Sequence, residues 1–216
     1  MSKKKKKIQM TMEEKKEAYE KLQKYEKQIN RLGPADIEKR QNRLIIQKKP
    51  GCYKWWAKQE ELNILLEKLV KSPENRMKVK ELLEFDDGMF CIYVGQASSI
   101  RKRLNNHVNR TMGSSTLRQS IGSLIADLEK DNKSDVENKV RSFIEKLEIR
   151  YFFVDKPSEL DSVEWVLING KKGDKVFRLL NIEDNEPEEK IAQNVIKTLG
   201  NKRSELRSKI PIKKKN

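Results

Sequence analysis

Ala18, Leu22, Tyr25 and Ile29 recur at helical spacing along a stretch from Met12 to Leu32 that is rich in Glu, Lys and Gln and contains no Gly or Pro. This pattern predicts one helix with a thin apolar stripe. Gly33-Pro34 should stop it, since Gly suits a helix C-terminus and Pro cannot continue the hydrogen-bond ladder. A short helical piece over about residues 35–46 then leads to Lys48-Lys49-Pro50-Gly51, a break read as a domain boundary. Three segments have strand character: Cys52 to Ala57, Phe90 to Gly95, and Glu148 to Val154, all rich in aromatic or β-branched residues. Helical patterns fill the intervals at about 59–71, 75–85, 99–108, 115–130, 135–146 and 158–169. An acidic stretch at 183–189 precedes a last amphipathic helix over 191–206. The interleaving predicts an α/β (α+β) fold, a small three-stranded antiparallel sheet flanked by helices. The expected organisation is a basic helical segment over 1–49, a central domain over 50–182 with a helical insertion at about 58–88, and a C-terminal helix and basic tail over 183–216. No internal repeat is visible.

Composition narrows the setting. The chain of 216 residues is 36% hydrophobic with a mean hydropathy of −0.87. No apolar run approaches the roughly 20 residues that a bilayer requires, and Lys3 to Lys7 lead into polar sequence, unlike a secretory leader. A soluble, cytoplasmic protein is the expectation. The 48 Lys and Arg against 33 Asp and Glu give a net charge of +15, but residues 1–50 hold +9 of it, residues 190–216 hold +8, and residues 51–189 carry −2. Basic ends can be solvated tails. They are also the footprint of a polyanion partner, because each phosphate neutralised releases condensed counterions. A membrane surface fits less well, with only Ile8, Met10 and Met12 near the Lys run to insert. Strand alternation turns Cys52 away from Tyr53 and Cys91 to the side of Tyr93. If the tyrosines share a face, the thiols lie on opposite faces as buried free cysteines.

A few residues stand out chemically. The single histidine, His107, is four residues after Arg103, on the flank of a helix whose packed seam is Ile100, Leu104 and Val108. Such a pair can point at one phosphate. Glu164 falls inside the stripe made by Leu160, Leu167 and Ile168, where a carboxylate is costly unless paired or metal-bound. A stripe rotated so that Glu164 lies at its solvated edge is the competing reading. Tyr53 and Tyr93 each sit on an expected strand beside a Gly, in Gly51-Cys52-Tyr53 and Tyr93-Val94-Gly95.

Taken in order, Gly51-Cys52-Tyr53, Tyr93-Val94-Gly95, Arg103, His107, Glu164 and Asn181 in Leu179-Leu180-Asn181 resemble the GIY-YIG nuclease superfamily over about residues 50–182. A softer resemblance, to restriction-endonuclease-like members, lies in the helix opening from Gly113 to Gly122. Several features depart from the family pattern. Cys52 and Val94 stand where Ile is usual, and Gln96 follows Gly95 where many members have Lys. Tyr53 and Tyr93 are 40 residues apart, a far wider interval than the family's, filled by two extra helices. Similar insertions in restriction-type members favour that branch. Asn181 is also farther from Glu164 than usual.

The resemblance implies a small α/β domain that cuts double-stranded DNA with one divalent metal, Mg²⁺ or Mn²⁺. It implies Glu164 as metal ligand, Arg103 as phosphate clamp, Tyr53 or His107 as general base, Tyr93 as a positioning group and Asn181 as a backbone fastener. A phenol with an ordinary pKa near 10 acts as base only where its surroundings help. Arg101, Lys102, Arg110 and Arg118 are assigned to DNA binding. No membrane partner is expected, and cutting both strands of a symmetric site needs a homodimer or sequential nicking. The alternatives are a non-catalytic DNA-binding module, a repair or mobile-element protein on the same fold, and a helical scaffold built on Met12 to Leu32.

Overall fold

The computed structural model describes residues 10–38, 46–170, 177–183, 185 and 187–210. The Lys3 to Lys7 run, the tail beyond Ile210, and the middle of the helical piece expected at 35–46 lie outside the described residues. In chain order the elements are α1 (Met12–Glu26), β1 (Asn30–Leu32), α2 (Pro34–Glu38), β2 (Gly51–Ala57), α3 (Gln59–Leu69), α4 (Pro73–Glu81) and β3 (Phe85–Asp86). There follow β4 (Met89–Ala97), α5 (Ile100–Asn109), α6 (Thr116–Ile125), α7 (Lys133–Ile144), β5 (Glu148–Phe153), α8 (Leu160–Asn169) and α9 (Lys190–Lys209).

The mixed α/β class holds, but the sheet has five strands in the order β1-β5-β2-β4-β3, every pair antiparallel, where three were expected. The three expected strands form its centre. The two additional ones are edges of three and two residues, too short for a period-2 pattern to register. The helix expected to reach Leu32 stops at Glu26, and Asn30, Arg31 and Leu32 pair with Tyr151, Arg150 and Ile149. Gly33-Pro34 opens a helix and does not close one. Pro34 takes the first helical position, where its missing N–H costs nothing, and the Gly33 N–H donates to Asp36 Oδ2 at 2.9 Å. Phe85, expected at a helix end, belongs to β3.

β2 is buried along its whole length because both faces of the sheet are covered. On one face Tyr53, Trp55 and Ala57 join Ile100 and Leu104 of α5, Ile121 of α6 and Leu199 of α9. On the other, Cys52 and Trp56 join Leu22 and Tyr25 of α1 and Val163 and Leu167 of α8. The basic terminal segments thus supply helices that are part of the packed domain. Trp55 is paired with Tyr93 and Trp56 with Cys91, so Ile92 is an extra residue in β4, a bulge. The bulge lets Ile92 and Tyr93 both enter the first core and turns Cys91 into the second, beside Val94. This overturns the expectation of thiols on opposite faces: both occupy the same core, because alternation counted back from Tyr93 fails across a bulge. Both are free and buried.

Buried cations also enter the second face. Lys54 is buried, with Nζ donating to Glu26 Oε1 at 2.6 Å and Glu84 Oε1 at 2.9 Å, while Arg178 donates to Glu84 Oε2 at 2.6 Å. These ion pairs tie α1, β2, the approach to β3 and the segment leading to Asn181. Among the described residues no helix is long and apolar enough to cross a membrane.

Candidate active site

The antiparallel register of β2 and β4 sets Tyr53 opposite Gly95. The Tyr53 ring occupies the space a side chain at 95 would need, and Gly51 likewise faces the Phe152 backbone with Ile100 Cγ1 3.0 Å from where a Cβ would stand. The glycines of both strand motifs are therefore required by close packing. Tyr53 and Tyr93 lie on the same face with ring centroids 6.4 Å apart.

α5 starts three residues after β4 and packs Ile100, Leu104 and Val108 inward, as its periodicity foretold. That seam brings the flank with Arg103 and His107 over the tyrosines. His107 is fully buried (0% exposed), in ring contact with Tyr53, Trp55 and Tyr93. Its Nε2 is 2.8 Å from Tyr53 Oη and its Nδ1 is 2.6 Å from Ser115 Oγ. Arg103 Nε donates to the same Tyr53 Oη at 3.1 Å. Ser115 is the N-cap of α6, where its Oγ also accepts the Arg118 N–H at 3.1 Å. The next residue, Thr116, places Oγ1 2.9 Å from Tyr93 Oη. Ser115 and Thr116 were not singled out from sequence. Their signal was the small-polar helix opening from Gly113, noted there only as a likeness.

Burial governs the protonation states. Desolvation, with the neighbouring Tyr93, pushes the Tyr53 phenol well above its ordinary range, against the pull of Arg103. Desolvation followed by the charges of Arg103 and Arg118 holds His107 well below the usual histidine value. Near neutral pH the pair is therefore a phenol and an uncharged imidazole. The Arg103 guanidinium is pushed up, chiefly by Tyr53, and stays a permanent cation.

Glu164 lies on α8, 9% exposed, among Leu160, Val163, Leu167 and Ile168. Its charge reaches Tyr53, Tyr93 and Arg103, so the structure gathers all four around one locality. Asn181 belongs to the same assembly through the backbone. Its Oδ1 accepts the Val94 N–H at 2.8 Å and its Nδ2 donates to the Val94 carbonyl at 2.9 Å. An amide side chain thereby acts as a one-residue strand against β4, next to the glycine under Tyr53.

The residues assigned to DNA binding divide. Lys102 and Arg110 are exposed on α5 and at its end. Arg101 is half-buried, with Nε donating to the Ile46 carbonyl. Arg118 is buried, its NH1 on the carbonyls of His107 (3.0 Å) and Val108 (3.2 Å) and its NH2 on Glu137 Oε2 at 3.0 Å. Its guanidinium closes the C-terminal end of α5 and is not offered to the surface. Among the described residues no three His, Cys, Asp or Glu side chains gather as a metal cage. A single carboxylate oxygen donor suits a hard cation that keeps several waters and takes further oxygens from a phosphate, and does not suit a zinc-type site.

A family model described as GIY-YIG catalytic domain matches residues 51–208. No curated protein matches the chain, and no solved structure does.

Proposed function

Because the chain belongs to the GIY-YIG catalytic-domain family, a family of nucleases, we propose that it is a metal-dependent endonuclease of restriction type that hydrolyses phosphodiester bonds in double-stranded DNA. One observation carries the reading: Tyr53 Oη is held between Arg103 Nε at 3.1 Å and His107 Nε2 at 2.8 Å. In that setting the phenol can take a proton from water on one side while yielding its own on the other. With the His107 proton on Nδ1 and directed to Ser115 Oγ, the Nε2 lone pair faces the phenol and receives its proton. Burial sets the starting states, a neutral imidazole and a protonated phenol, and the transfer against those shifts is driven by the charge of Arg103 and of a bound cation.

Arg103 clamps the scissile phosphate with its planar fork, while the Arg103 charge eases any negative charge that develops on Tyr53. Tyr93, fixed by Thr116, positions the phosphate. Glu164 would hold Mg²⁺ or Mn²⁺, which when bound supplies positive charge to the phosphoryl and leaving oxygens. The interval between β2 and β4, occupied by α3, α4 and β3, supports the restriction-type branch. Lys102, Arg110 and the lysines of 1–9 and 211–216 are assigned to holding the DNA backbone, and removing those two end segments should flatten the salt dependence of binding. A homodimer is the proposed unit for cutting both strands.

The test is to incubate the purified protein with plasmid DNA and Mg²⁺ and to sequence the cut ends. Defined ends that vanish with chelator support the reading. Intact plasmid across Mg²⁺ and Mn²⁺ would overturn it.

A further inference from the structure

Arg203 lies on α9 at 7% exposure, between Leu199 and Leu206 of the first core along the helix. Its Nε is sealed from solvent with no acceptor, and among the described residues no hydrogen bond or ion pair reaches its guanidinium. The other buried arginines differ: Arg118 meets Glu137, Arg150 meets Glu148 and Asp86, and Arg178 meets Glu84. Glu183 is exposed, and although its charge is felt by Arg203 it makes no ion pair with it.

What adjoins Arg203 is the candidate active site. Arg203 and Tyr93 each feel the other's charge, and Tyr93 also feels Arg103 and Glu164. Desolvation and Arg207 push the Arg203 guanidinium down, the reverse of Arg103. A buried guanidinium without an anion is among the costlier arrangements a fold can hold, and its planar set of donors matches phosphate oxygens. No anion among the described residues meets this need, and the oxygens of a bound phosphate would.

We propose that Arg203 is a second phosphate anchor, gripping a phosphodiester oxygen of the substrate strand on the Tyr93 side of the site while Arg103 holds the scissile phosphate. This deepens the nuclease reading and rests on it. It also gives the C-terminal helix a part in substrate binding, although the six recognised site residues all precede it.

The experiment compares wild type, Arg203→Met and Arg203→Lys for plasmid cleavage with Mg²⁺, for binding of a fluorescent duplex at several salt concentrations with Ca²⁺ in place of Mg²⁺, and for thermal stability. The expected result for Arg203→Met is a loss of about 10-fold or more in cleavage, a log-log salt slope shallower by about 1, and a midpoint no lower than wild type. Arg203→Lys, which keeps the charge, should retain most of the salt slope and regain part of the rate. Wild-type cleavage with an unchanged rate and slope in Arg203→Met would overturn the anchor and leave the nuclease reading standing, whereas an inactive wild type would overturn that reading first. Should Arg203→Met fail to fold, Arg203→Lys decides: a wild-type salt slope supports the anchor, and a slope as shallow as for a lost contact, with a lowered midpoint, assigns Arg203 to packing.

Discussion

The ring of Tyr53 lies against the backbone of Gly95, its partner across β2 and β4, so closely that a Cβ on Gly95 would stand 2.5 Å from the phenol Cζ. The second strand motif thus ends in glycine because of the tyrosine in the first. Gly95→Ala should push the phenol off its 2.8 Å contact with His107. Overpacking of this kind costs about 1–3 kcal/mol in stability, and displacing the phenol proposed as general base should cost about 10²-fold or more in rate. Single-turnover cleavage set beside duplex binding checks this: the rate should fall while binding, carried by untouched basic side chains, persists.

Tyr53 and His107 should behave as one unit. Tyr53→Phe removes the oxygen that joins Arg103 to His107, and the expected loss is about 10²–10⁴-fold in cleavage rate. His107→Gln should cost a comparable amount by depriving the phenol of its proton acceptor. The double variant should be scarcely worse than either single one, because both remove the same transfer. Independent, multiplying losses in the measured rates would show that the two side chains do separate work.

The buried imidazole also predicts a pH signature in stability. Folding pushes the His107 value well below 6.5, so between the folded and unfolded values the unfolded chain binds the extra proton. Unfolding free energy should therefore fall as pH drops below about 6.5, at a slope approaching 1.36 kcal/mol per pH unit. Denaturant titrations at several pH values measure it. In His107→Gln that increment should disappear, and any slope that persists there belongs to carboxylates.

Lys54 lies on the opposite side of β2 from Tyr53 and holds Glu26 and Glu84. Lys54→Met should leave both carboxylates short of a cation and cost about 3–5 kcal/mol, the usual penalty for breaking a buried pair from one side. Thermal unfolding reads the loss. Cleavage per folded molecule should stay near wild type at temperatures where the variant is folded, since nothing on the first face has changed.

The contrast between those faces explains what the sequence revealed. Tyr53, Tyr93, Arg103 and His107 were ordinary strand or helix residues when taken singly, and stood out only as an ordered set at the offsets that resemble the GIY-YIG superfamily. Glu164 was legible as a polar break in an apolar stripe. The two edge strands were not, because three residues at Asn30–Leu32 and two at Phe85–Asp86 take their structure from partners distant in sequence. The same is true of the bulge at Ile92, which reversed the placement of Cys91. Ser115 and Arg203 were missed for a related reason: only tertiary packing sets a helix cap against an imidazole, or a C-terminal arginine beside Tyr93.

Glu164 gives the sharpest test of the metal. Its carboxylate is 9% exposed within the apolar face of α8, a position that ordinarily costs stability and is tolerated where cations compensate. Arg103 supplies part of that compensation, through the mutual attraction that also pushes the Arg103 guanidinium up. Glu164→Gln keeps the shape, removes the charge and leaves α8 packed, so the thermal midpoint without added metal should be no lower than wild type. Mg²⁺-dependent nicking of plasmid DNA should be abolished, to below about 10⁻³ of the wild-type rate if the cation supplies several kcal/mol at the transition state. Binding to duplex should be retained or tightened, because one negative charge has left the neighbourhood of the phosphate. Undiminished cutting by Glu164→Gln would show that no single-carboxylate metal site operates here, whereas lost cutting with a sharply lowered midpoint would mark Glu164 as a partner of Arg103 in the fold and not as the metal's ligand.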